Sequence, residues 1–113
     1  MSAITTHVLD LTRGLPAQGV RIEVEQKQDN KWHALASGVT DKDGRLRDLL
    51  PENAPLAPGT YRLRFHTGEY FSTSGMTALH PYIEIVFTLS EINAHYHIPL
   101  LVTPHAYSTY RGS

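Results

Sequence analysis

The chain contains no cysteine, so disulfides play no part in its fold. That absence leaves the redox compartment open, because a cysteine-free protein is permitted in any. Charge of one sign is lacking too. Ten Lys and Arg stand against eleven Asp and Glu, a net charge of −1. Such a balance gives no electrostatic case for nucleic acid or for an acidic membrane surface as partner. No stretch approaches the roughly 20 apolar residues that a membrane helix requires. The opening Met1-Ser2-Ala3-Ile4-Thr5-Thr6-His7 has neither the basic nor the apolar region of a secretory signal. A cytoplasmic protein is therefore expected, or a periplasmic one if the numbering is that of a processed form. What remains is an ordinary globular composition: 113 residues, 41% hydrophobic and 19% charged, the size of one compact domain over residues 1–113. A domain this small buries a modest fraction of its surface, so self-association would add to its stability.

Segments with a helical period are missing as well. The chain alternates in short runs broken by turn residues, the pattern of an all-β sandwich or barrel. Ile4 to Leu11 reads as a first strand, with Ile4, Thr6 and Val8 on one face and Thr5, His7 and Leu9 on the other. Gly14-Leu15-Pro16 breaks it. Val20 to Gln28 and Trp32 to Thr40 read as strands on either side of an Asp29-Asn30 turn. Asp41-Lys42-Asp43-Gly44 is a tight-turn signal that delivers Arg45 to the next segment. Pro51 to Gly59, with three prolines and a glycine, is expected to be irregular. Tyr61, Leu63 and Phe65 alternate with Arg62, Arg64 and His66 as a half-buried strand. Gly68 to His80 carries the weakest pattern; a short helix over Thr73 to Leu79 is expected there, with Gly75 against it. Ile83 to Leu89, His95 to Val102 and Ala106 to Tyr110 complete seven or eight strands, the number of a two-sheet antiparallel sandwich.

Seven histidines are many for this length. Those on outward strand faces, His33, His66, His80 and His105, are read as solvated polar residues. His7 differs, because both faces of its strand look partly covered. That fits a strand lining a cleft or lying against another subunit. His95 and His97, two residues apart, project from one face roughly 7 Å from each other; His97, between Tyr96 and Ile98, lies deeper. Imidazole near its ordinary pKa of about 6.5 is the usual base for taking a proton from water at neutral pH. A guanidinium instead holds anions and developing oxyanions, a role open to Arg45 after its turn, although an ion pair with a neighbouring Asp is the plainer account. The ending Tyr110-Arg111-Gly112-Ser113 joins an aromatic, a cation, a flexible glycine and a terminal hydroxyl, a composition suited to a binding edge.

Together, Thr6-His7-Val8-Leu9-Asp10, the Asp43-Gly44-Arg45 turn, His95-Tyr96-His97-Ile98-Pro99-Leu100 and the closing Tyr110-Arg111-Gly112-Ser113 resemble the 5-hydroxyisourate hydrolases, the enzymatic relatives of transthyretin. The terminal tetrapeptide separates these enzymes from the hormone carrier, and the resemblance runs from about residue 4 to the last. It implies a single transthyretin-like domain with a short helix, and a homotetramer with active sites in a channel where pairs of dimers meet. It implies hydrolysis of 5-hydroxyisourate to 2-oxo-4-hydroxy-4-carboxy-5-ureidoimidazoline in urate degradation, with no cofactor or metal. The family's two histidines match His7 and His97, its arginine Arg45, and its tail tyrosine and serine Tyr110 and Ser113. By the same resemblance His7, Arg45, His97 and Ser113 are the expected catalytic residues, and His7, Arg45, Tyr110 and Arg111 the expected substrate contacts. Carrier relatives lack histidine at the positions of His7 and His97.

Three other readings stand beside this one. A carrier would hold a small aromatic ligand on the same fold without chemistry. A metal hydrolase would use His7, His95 and His97 as ligands. A structural sandwich would be a monomer with no ligand site.

Overall fold

A computed structural model describes residues 2–51, 56–91 and 94–113. Nine strands and one helix follow in chain order: β1 Ile4–Asp10, β2 Leu15–Pro16, β3 Arg21–Gln28, β4 Lys31–Val39, β5 Arg45–Leu46, β6 Gly59–Phe65, α1 Thr67–Ser72, β7 Ile83–Leu89, β8 Tyr96–Val102 and β9 Tyr107–Thr109. They form two sheets. One has the order β2-β1-β8-β9, with β5 also paired to β1; the other has the order β4-β3-β6-β7. The alternation of each strand explains the sandwich. Ile22 and Val24 of β3 and Tyr61, Leu63 and Phe65 of β6 are buried between the sheets. Ile4 and Val8 of β1 and Ile98, Leu100 and Val102 of β8 face them from the other side. Each such aliphatic side chain contributes about 2 kcal/mol by leaving water. The opposite face of the second sheet carries ion pairs instead, such as Arg62 with Glu25 at 2.7 Å and Arg64 with Glu84 at 2.8 Å. Among the described residues no helix is long and apolar enough to cross a membrane.

Three local features depart from the expectations above. β1 and β8 run parallel, whereas the other strand pairs among the described residues are antiparallel. Leu15–Pro16, expected only to break the chain, pairs with Leu9 and Asp10. The helix lies at Thr67–Ser72, not over Thr73 to Leu79. It forms where β6 ends, and buries Thr67, Tyr70 and Phe71 at the i, i+3, i+4 spacing of one helical face. Behind it the chain closes with Gly75 N–H on the Ser72 carbonyl and Met76 N–H on the Phe71 carbonyl, both at 3.0 Å. That pair of bonds is a helix ending, so the expected helix falls on the stop and the loop after it. Of the expected irregular stretch Pro51 to Gly59, residues 52–55 lie outside the described residues, and Gly59 already opens β6. Residues 92–93, in the turn expected before His95, also lie outside them.

Candidate active site

β1 organises the site because it is paired on both edges. On one edge His7 stands opposite Arg45 of β5, and on the other Thr5 stands opposite His97 of β8. The turn before β5 is held by Asp41. Its carboxylate accepts the N–H groups of Asp43 at 2.9 Å and Arg45 at 3.0 Å, and its carbonyl accepts that of Gly44 at 2.9 Å. Gly44, at φ 74°, takes the left-handed backbone the turn needs, and a Cβ there would collide with the Val8 carbonyl. Its own carbonyl accepts Val8 N–H at 2.7 Å, which ties the turn onto β1.

This turn also fixes the first histidine. His7 Nε2–H donates to the Asp43 carbonyl at 2.9 Å. A carbonyl can only accept, so the Nε2 atom carries the proton and Nδ1 is left with the lone pair in the neutral ring. Burial lowers the His7 pKa below its ordinary value, and the Arg45 guanidinium adds to the effect; the Asp43 carbonyl and the Asp41 and Asp43 carboxylates oppose it. His97 is half-buried and is also lowered, first by burial and then by His95, Arg45 and His7. Both rings therefore favour the neutral form, the one able to accept a proton. The Thr5 hydroxyl, buried in β1, lies 2.8 Å from His97 Nδ1 and 2.8 Å from His95 Nε2. The two rings stack at 6.3 Å between centroids.

A cavity of about 120 Å³ opens beside them, walled by His97, His95, Thr5 and Thr6 from the paired strands β1 and β8 and their approach. Arg45, Arg47 and the final residue, Ser113, close the wall. The tail reaches this place because Gly112 N–H bonds the His97 carbonyl at 2.8 Å. The structure thus brings His97, Arg45 and Ser113 to one cavity. His7 stands beside it, across from Arg45, and is not on its wall. Tyr110 is 59% exposed and Arg111 lays its guanidinium over the Tyr96 ring at 4.2 Å, so neither faces the cavity within one chain. Among the described residues, no three His, Cys, Asp or Glu side chains are grouped so as to hold a metal ion.

Sequence reasoning missed Thr5, Thr6 and Arg47. Thr5 was legible in principle as the residue sharing a face with His7, but a threonine on a strand is ordinary and carries no signal of its own. Of the four histidines read as solvated, His66 is half-buried and donates from Nε2 to Glu23 at 2.5 Å. His80 meets the Tyr107 ring edge-on at 5.4 Å, while His33 and His105 are exposed.

Two packed sheets, one of them built around a parallel β1–β8 pair with imidazoles and a guanidinium beside it, define a transthyretin-like protein. The model of the HIUase/Transthyretin family matches residues 4–112, and the chain belongs to that family. It is 48% identical to the 5-hydroxyisourate hydrolase of Salmonella typhimurium, over 97% of this chain and 80% of the relative. The solved 5-hydroxyisourate hydrolase of Klebsiella pneumoniae superposes with a TM-score of 0.87 at 36% identity, with both chains covered in full. Transthyretin from Sparus aurata superposes with a TM-score of 0.92 at 32% identity, covering 99% of this chain and 97% of that one. Enzyme and carrier share the fold, so the side chains at the cavity must decide between them.

Proposed function

We propose that the chain is a 5-hydroxyisourate hydrolase, which opens the six-membered ring at the N1–C6 amide to give 2-oxo-4-hydroxy-4-carboxy-5-ureidoimidazoline. The observation that carries this reading is the meeting of a neutral, half-buried His97 with Arg45 on one cavity wall. His97 takes a proton from water, which attacks C6, and Arg45 stabilises the charge that develops on the carbonyl oxygen. His7, neutral and held by Asp43, positions the substrate next to Arg45. Ser113 caps the cavity with its hydroxyl and limits entry of bulk water. The high identity to enzymes carrying this name supports the substrate assignment.

Tyr110 and Arg111 act from the tail. Arg111 pins it by stacking on Tyr96, and exposed Tyr110 is positioned to complete a site built from more than one chain. A homotetramer, a dimer of dimers, fits that exposure and the small size of the domain. Its native mass in solution is the check. Activity is tested by generating 5-hydroxyisourate from urate in situ and following its absorbance. Purified protein accelerates the decay on this reading; a carrier leaves the decay at the buffer rate.

A further inference from the structure

His95 has no place in the mechanism above, yet it shares one hydroxyl with the base. Thr5 Oγ1 lies 2.8 Å from His97 Nδ1 and 2.8 Å from His95 Nε2. A hydroxyl has a single proton to donate. At most one ring can accept from Thr5, so at least one of the two facing ring nitrogens carries a proton and donates to it. If His97 is to be a base toward the cavity, its Nε2 must be bare and its proton must sit on Nδ1. Thr5 then accepts from His97 Nδ1–H and donates to His95 Nε2.

We infer that Thr5 is a positioning residue that couples His97 to His95 as one proton-handling unit, with the exposed His95 holding the positive charge while the ring amide is cleaved. The inference rests on the hydrolytic reading of the cavity. His97 Nε2 takes one proton from water as the water oxygen bonds C6. In the same event the Nδ1 proton passes to Thr5, and the Thr5 proton passes to His95 Nε2. When the C6–N1 bond breaks, His97 Nε2 gives its proton to N1 and the two transfers run backwards. One water proton ends on N1, the chain of three residues returns to its starting state, and the new carboxyl group ionises into solvent.

The surroundings explain why such a device is useful. A protonated His97 would be half-buried, with Arg45, Arg47 and Ser113 on the same cavity wall and His7 close by. His95 is exposed at the mouth, where water solvates its charge. Moving the charge over one hydroxyl carries it from a half-buried ring to an exposed one, where it keeps more of its hydration. No other side chain is bonded to both rings among the described residues. The stacking of the imidazoles at 6.3 Å keeps both nitrogens within reach of the same oxygen.

Four variants and one spectrum test this. Thr5→Val keeps the shape and the strand preference but removes the proton wire; kcat falls on the order of 10²-fold with KM little changed. Thr5→Ser restores most of that loss, because the hydroxyl returns. His95→Gln, at an exposed position, lowers kcat in the same direction as Thr5→Val, and the double variant is no slower than Thr5→Val alone. The ring nitrogens are read directly by ¹⁵N NMR of histidine-labelled protein without substrate. The spectrum shows Nδ1 protonated and Nε2 bare on both His95 and His97, and this shared pattern is lost in Thr5→Val. Wild-type kcat in folded Thr5→Val, or a wild-type His97 carrying its proton on Nε2, overturns the inference. Failure of the hydrolytic reading itself shows separately, as wild-type protein that leaves 5-hydroxyisourate at the buffer rate.

Discussion

Gly112 lies directly against the imidazole of His97: a Cβ added to it would stand 2.6 Å from His97 Cδ2. Its N–H also bonds the His97 carbonyl, so the closing residues and the proposed base are packed as one unit. The closing tetrapeptide therefore does more than supply polar groups, since its glycine sets the orientation of the ring. Gly112→Ala pushes the imidazole aside, and displacements of about 1 Å in a reacting group cost on the order of 10²-fold in rate. The expected result is a loss of that size in kcat/KM with a melting temperature close to wild type. Steady-state kinetics and a thermal melt check it.

The two guanidinium groups on the cavity wall separate by role. Arg45→Ala removes the oxyanion partner and lowers kcat by about 10²- to 10³-fold. Arg47 is more exposed, and on the proposed hydrolytic reading it contributes field and substrate capture. Arg47→Ala raises KM by less than about tenfold and leaves kcat near wild type. Parallel Michaelis curves for the two variants distinguish these outcomes.

Acid should switch the enzyme off below the pH at which an ordinary imidazole titrates. Burial lowers the pKa of both His7 and His97 below 6.5. The base is the neutral form, so kcat/KM holds through pH 6.5 and falls only as the pH drops below it. Stability follows the same sign. The unfolded rings bind protons at a higher pH than the folded ones, so folding stability is fully present above pH 6.5 and declines as the pH falls toward the lower folded values. A kcat/KM profile from pH 5 to 8, with melts at each pH, measures both limbs.

Asp10 is the buried polar anchor of the fold. Fully enclosed at the end of β1, it accepts Thr12 N–H at 3.0 Å, Arg13 N–H at 3.2 Å and Tyr70 O–H at 2.8 Å. Asp10→Ala strands those donors and costs about 3 kcal/mol. Tyr70→Phe loses one bond and costs about 1–2 kcal/mol. Urea denaturation at neutral pH gives both values, and the order between them is the part that matters.

The strands were legible because period-two alternation is a direct consequence of the pleat. Ile22 and Val24, or Leu63 and Phe65, point one way in the sequence and are buried in the structure. The helix was displaced for an equally physical reason. Six residues, Thr67–Ser72, give a single pair of turns, and the apolar pair Tyr70-Phe71 is shorter than any periodic signal. The parallel pairing of β1 with β8 was illegible, because partners some ninety residues apart leave no local trace. That pairing is what sets Thr5 opposite His97. Hence His97, Arg45 and Ser113 could be chosen as candidates from motif and resemblance, while the place of Thr5 between His95 and His97, and of Arg47 on the cavity wall, is visible only in three dimensions. Arg111 is the converse case: its charge suggested a ligand contact, and the Tyr96 ring beneath it is visible only in the fold.

The central claim is that a neutral His97, beside Arg45, activates water against 5-hydroxyisourate. The most direct measurement follows the decay of enzymatically generated 5-hydroxyisourate with wild-type protein and with His97→Asn at equal concentration. Wild type accelerates the decay, and His97→Asn is slower by roughly two to four orders of magnitude while remaining folded. Equal rates for the two proteins, or no acceleration by either, contradict the account.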